Sequence, residues 1–146
     1  MRPRRATALL AVSIFLLALF GGAPAHAASP APTTASWQLI DNQQKTCYVT
    51  TRGGTNYYGV WISGTWTHRI TIGADALPAG GSYFTSYAPI PPGTSDGIGS
   101  LAYAAVVLPV GTPVGTYTAS LWASDATVTQ TVPITLVVNA TSCRNY

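Results

Sequence analysis

Two hydrophobic patterns divide this chain. Residues 8–20 form an apolar run broken only by Ser13, whereas from Trp37 onward short apolar segments alternate with Gly, Pro, Asn and Asp. The second pattern is the punctuation of strands and turns. It predicts strands near 37–40, 46–51, 57–63, 66–73, 82–87, 100–108, 116–124 and 128–138. No stretch keeps an i, i+3, i+4 apolar period through three turns, so at most a single helical turn is expected, at Asp75.

Period-two alternation assigns faces. In 116–124, Tyr117, Ala119, Leu121 and Ala123 point one way, and Thr116, Thr118, Ser120, Trp122 and Ser124 the other. In 57–63, Tyr58, Val60 and Ile62 are expected inward, leaving Tyr57, Gly59, Trp61 and Ser63 outward. Trp66, His68, Ile70 and Ile72 share a face. In the last strand Val128, Val132, Ile134, Leu136 and Val138 align, with Gln130 an exception. Pro133 cannot donate to a ladder and is expected at an edge or bulge. Seven to eight short strands in about 110 residues imply an all-β, single antiparallel β-sandwich.

One segment carries a resemblance. Leu108-Pro-Val-Gly-Thr-Pro-Val-Gly-Thr-Tyr117-Thr-Ala-Ser-Leu-Trp-Ala-Ser-Asp125, followed by Val132-Pro-Ile-Thr-Leu-Val-Val138, resembles the last two strands of bacterial immunoglobulin-like and fibronectin-like modules. The resemblance covers about 30 residues and implies an immunoglobulin-like fold. It also implies a tyrosine corner, with the Tyr117 hydroxyl bonded back to the preceding loop. It says nothing of activity, since this fold hosts many. The whole chain also resembles small secreted actinobacterial proteins, which adds no mechanism.

The N-terminal run gains meaning from its flanks. Arg2, Arg4 and Arg5 precede it, and Ala25-His26-Ala27 follows as a small-x-small cleavage pattern. Residues 1–27 therefore read as a secretory signal peptide, 28–36 as a flexible leader, and 37–146 as the sandwich domain. Sec and twin-arginine export both remain open. About 119 residues are left, expected outside the cell as a monomer, with no membrane span because 8–20 is too short.

Charge is then reinterpreted. The formal charge of +3 belongs to the signal; beyond it Lys45, Arg52, Arg69 and Arg144 balance Asp41, Asp75, Asp96 and Asp125. Four scattered cations exclude a nucleic-acid interface. Cys47 and Cys143 are expected as a disulfide, closing a loop worth roughly 4–5 kcal/mol in the chain-entropy account. Two free thiols or an intermolecular bond are the alternatives.

Catalytic chemistry finds little footing. Gly93-Thr94-Ser95-Asp96-Gly97 satisfies Gly-x-Ser-x-Gly, but a nucleophile elbow needs a following helix and a base. His68 is the one histidine after the signal and reads as a core-side neighbour of Trp66 and Ile70. Asp75, Asp96 and Asp125 fall in turns and form no readable carboxylate pair or calcium loop. No catalytic residue, metal or cofactor is expected. Asn139-Ala140-Thr141 is a glycosylation sequon on paper. The surplus is aromatic: four Trp, eight Tyr and Phe84 after the signal. Trp122, Trp61 and Tyr57, with Thr118 and Ser120, are the expected binding residues, the rings to stack on sugars and the hydroxyls to orient them. Ordinary packing beneath loop 74–99 or a partner is the alternative. The expected function is thus a non-catalytic binding module for a glycan or cell-envelope polymer. The runner-up is a protein-binding or inhibitor protein that uses 74–99 against a secreted or cell-surface protein, and a hydrolase comes last.

Overall fold

A computed structural model describes residues 35–144; the signal and nearly all of the leader lie outside the described residues. Ten strands occur: β1 (Trp37–Leu39), β2 (Lys45–Val49), β3 (Gly54–Val60), β4 (Ile62–Trp66), β5 (Thr71–Asp75), β6 (Ser82–Ser86), β7 (Gly93–Asp96), β8 (Ala102–Leu108), β9 (Gly115–Ser124) and β10 (Thr129–Asn139). One sheet has the order β2-β10-β9-β5; the others are β3-β8-β6 and β1-β4-β7. β3 and β4 run on from one another through Trp61, so the two three-stranded sheets form one bent layer. Every pairing is antiparallel except β2 with β10, which is parallel. The expectation of a purely antiparallel sandwich is corrected there.

The connectivity is the immunoglobulin-like one. The early strand β1 pairs with β4 in the first layer, and the chain then crosses so that β2 joins β10 in the second. The crossing turns at Gln43, whose φ is 51°, with its N–H donated to the Asp41 carboxylate. β3 pairs with β8, and β8 with β6, while β9 lies between β10 and β5. The tyrosine corner is present: the Tyr117 hydroxyl donates to the Pro113 carbonyl at 2.7 Å.

The core lies between the layers, built from alternate residues of each strand. Tyr58, Val60, Ile62, Ile70, Leu108, Leu121, Ile134 and Leu136 are all fully buried. Gln130 breaks the apolar alternation for a reason. Its side-chain amide donates to the Trp37 carbonyl and accepts the Leu39 N–H, replacing a missing strand beside β1. Gln44 does the same for Gly59, accepting its N–H and donating to its carbonyl at 2.8 Å each. Both amides satisfy backbone groups that would otherwise face a gap between layers. Gly64 lets β1 approach: its φ is 107°, and a Cβ there would stand 2.3 Å from the Ser36 oxygen. The fold thus takes in Ala35, packed on the core, and Ser36, whose carbonyl accepts the Thr65 N–H.

Three readings change, the first being that 57–63 is divided at Trp61 between β3 and β4. The segment 66–73 is not one strand, because β4 ends at Trp66 and residues 67–70 turn the corner between layers. His68 is therefore exposed, beside the Thr67 hydroxyl at 3.3 Å, and not a core-side neighbour of Ile70. Asp75 and Asp96, expected in turns, instead end strands: Asp75 closes β5, and Gly93–Asp96 is β7, paired with β4.

Candidate functional site: two outer faces

Register sets the outer face of the β3-β8-β6 sheet. Thr55, Tyr57 and Gly59 stand beside Val107, Ala105 and Tyr103, which stand beside Ser82, Phe84 and Ser86. Their sequence neighbours Tyr58, Val60, Ala104 and Val106 fill the core, so these nine side positions face outward, and none is charged. Tyr57 and Phe84 lean together over Ala105, their centroids 6.1 Å apart and edge to face. Ala105 has no accessible surface although it lies outside the core cluster; these rings cover it. One step along the sheet, the Trp61 indole lies on Gly59, where a Cβ would come within 2.4 Å of the ring. Tyr103 meets Tyr87 edge to face at 6.3 Å.

The outer rings remain open to solvent: Tyr57 is 58% exposed, Phe84 47%, Tyr87 80% and Tyr103 36%. Tyr87 also has a φ of 60°, in the left-handed region that a bulky residue rarely adopts. Such strain costs on the order of 1 kcal/mol or more and persists where the surroundings hold it.

The opposite outer face, on β2-β10-β9-β5, has different chemistry. Thr118 pairs with Thr135, Ser120 with Pro133, Trp122 with Thr131 and Ser124 with Thr129. Across β5, Asp75 opposes Ser120 and Gly73 opposes Trp122. Trp122 lies flat on Gly73, again leaving a Cβ only 2.4 Å of space, and the Tyr83 hydroxyl reaches the same point from β6. A cleft of about 490 Å³ adjoins this rim, lined by Ala74, Asp75, Ala76, Leu77, Gly81, Ser82 and Tyr83.

The expected binding set is therefore divided. Tyr57 and Trp61 share the first face; Trp122, Thr118 and Ser120 lie on the second, across the sandwich. Each tryptophan is half-buried because one side of its ring covers a strand glycine. Phe84, Tyr87 and Tyr103 were missed from the sequence. For Tyr103 the alternation with buried Ala102 and Ala104 carries a signal; Tyr87 follows the end of β6, and only register shows that Phe84 meets Tyr57.

The remaining candidates serve local structure. Ser95 sits opposite Gly64, and its hydroxyl accepts the Gly97 N–H at 3.1 Å. Asp96 accepts the Ile98 N–H. Asp125 is the buried carboxylate. It accepts the Trp37 indole N–H at 2.8 Å on one oxygen, and the Thr127 N–H, Thr127 hydroxyl and Val128 N–H on the other. Burial alone raises its pKa, but these bonds outweigh it and hold the group well below the usual carboxylate range. Burial also pushes the Tyr48 phenol up, partly offset by hydrogen bonds with Tyr58, Thr46 and Asn56. The cysteines form the expected bond, Cys47 to Cys143, with Cα atoms 5.8 Å apart. Among the described residues, no helix is long and apolar enough to cross a membrane.

Comparison with solved structures gives distant likenesses. A chimeric titin Z1Z2 functionalized with a KLER exogenous peptide from decorin matches at 20% identity and TM-score 0.40, covering 73% of this chain and 96% of that one. Human protocadherin-24 EC1-2 matches at 14% and 0.41, over 72% and 44%. Domains 4 and 5 of the S-layer protein SbsC match at 16% and 0.37, over 68% and 51%. The chain spans about half the length of the last two. No curated protein matches it. Residues 38–140, nearly the whole sandwich from β1 to the end of β10, match one protein family, and the chain belongs to that family of unknown function, DUF5980.

Proposed function

We propose that this is a secreted, non-catalytic binding module whose β3-β8-β6 outer face holds a neutral glycan of a cell envelope. One observation carries the reading: Tyr57, Trp61, Phe84, Tyr87 and Tyr103 gather on an uncharged sheet face, and four of them stay exposed. Contiguous apolar surface of this kind marks interaction sites. Sugar rings present C–H faces that stack on such side chains, and the tyrosine hydroxyls can bond the ring oxygens. Absence of charge on the face favours an uncharged ligand over an anionic one.

Edge-to-face ring packing also favours a second reading, a secreted or cell-surface protein as partner, since Tyr, Trp and Phe dominate interface hot spots. Neutral-glycan arrays and pull-down of surface proteins, run with wild type and Tyr57→Ala/Phe84→Ala, separate the two. Glycan binding that falls about tenfold or more in the double variant, at unchanged circular dichroism, supports the first reading. Binding unaffected by loss of both rings sinks the face as the site.

A further inference from the structure

The rim around Trp122 has the components of a carbohydrate site in its own right. Its indole is held against the backbone of Gly73, and the residue stays partly accessible to solvent. The Tyr83 hydroxyl stands at the same glycine. Asp75 and Ser120 face each other across β5 and β9 on the same outer surface. From Asp75 the surface falls into the cleft of about 490 Å³, whose other polar side chains are Ser82 and Tyr83.

We propose that this rim is a second glycan-binding site, so that one chain bridges two glycan strands. The inference rests on the reading of the aromatic face given above. The indole supplies the stacking surface. The Asp75 carboxylate accepts hydrogen bonds from vicinal sugar hydroxyls, and the Ser120 and Tyr83 hydroxyls donate to or accept from the same ring. Asp75 is the sole charge lining the cleft, which fits a neutral polyhydroxylated ligand oriented by one strong acceptor. An extended peptide added to the edge of β5 fits less well, because Tyr83 already reaches across that edge to Gly73. Trp122 and the Tyr57–Phe84 pair lie on outer faces of opposite layers, with about 10 Å of packed core between the layers, and the cleft opens at the β5–β6 edge between them. A single sugar chain cannot lie flat on both.

The test is calorimetric titration of the secreted protein with chitohexaose, cellohexaose and mannohexaose. Two sites per chain are expected. Asp75→Asn, an isosteric change at an exposed residue, and Trp122→Ala should each weaken one site more than tenfold and leave the other within twofold. Tyr57→Ala/Phe84→Ala should do the reverse. Wild type held on an immobilised glycan should capture a second, labelled glycan, and either class of variant should lose that capture. Trp122→Phe, which keeps a ring over Gly73, guards against misfolding and should retain the site. A single site that ignores Trp122 and Asp75 overturns the second site and leaves the aromatic face intact. A single site lost with Trp122 but not with Tyr57 and Phe84 overturns the aromatic face and, with it, the bridge. No heat with any of the three sugars overturns both.

Discussion

At the scale of single residues, Asp125 is the sharpest case of chemistry used for structure. Its carboxylate closes the β9–β10 turn and anchors the Trp37 indole of β1, four bonds on one buried group. Asp125→Ala should lower stability by about 2–4 kcal/mol in denaturant melts, because charged hydrogen bonds are lost and buried donors orphaned. The same group sets an acid limit. Its folded pKa is depressed, so its contribution is complete above the unfolded value of about 3.9 and drains away as pH falls below it. Melts from pH 7 to pH 2 should show an acid-induced loss that the variant lacks. Tyr87 is the converse, a residue whose conformation works against stability. Tyr87→Gly relieves the left-handed backbone. The expected outcome is a melting temperature equal to or above that of wild type, together with weaker glycan binding. A lower melting temperature would show that the ring stabilises the fold through Tyr103.

At the scale of elements, the alternation of apolar and polar positions carried most of the architecture. The strands around 46–51, 82–87, 100–108, 116–124 and 128–138 stand close to where period two puts them. What escaped were places where one strand serves two partners. Trp61 interrupts β3 and β4, so a single apolar run becomes two elements, and the corner at 67–70 moves His68 into solvent. β7 is polar and short, with no pattern to announce it; only pairing with β4 makes it a strand. The site was legible only by halves. Outward direction followed from alternation for Tyr57, Trp61 and Trp122, but their division between two layers depends on non-local pairing. Gln130 shows how such an exception to pattern can be read. An inward polar residue in an apolar strand must bond something, and here it bonds the backbone of β1. Gln130→Leu keeps the volume but leaves the Trp37 carbonyl and Leu39 N–H unmet, at a cost of about 1–3 kcal/mol. A variant as stable as wild type would mean that water replaces the amide.

For the molecule as a whole, the disulfide joins the last described residues to the edge of the second layer. Cys143 follows the end of β10, and Cys47 lies in β2, whose strand partner is β10. The bond therefore pins a tail against an edge strand; it does not thread the core. That placement changes the expected energetics. A sequence separation of 96 residues would give about 4.7 kcal/mol if the bond acted on the unfolded chain alone. Without it, however, the residues after Asn139 also gain freedom in the folded state, and that gain offsets part of the loss. Cys143→Ser, paired with Cys47→Ser to avoid a stray thiol, should thus fold with an unchanged β-sheet circular dichroism spectrum. Its stability should fall by about 2–4 kcal/mol in guanidinium melts, short of the full loop-closure value. Wild type denatured without reductant should give no thiol signal. Loss of the β spectrum on reduction at 25 °C would show instead that the hydrogen-bonded core, with its two glutamine clamps, cannot hold the two layers together without the staple.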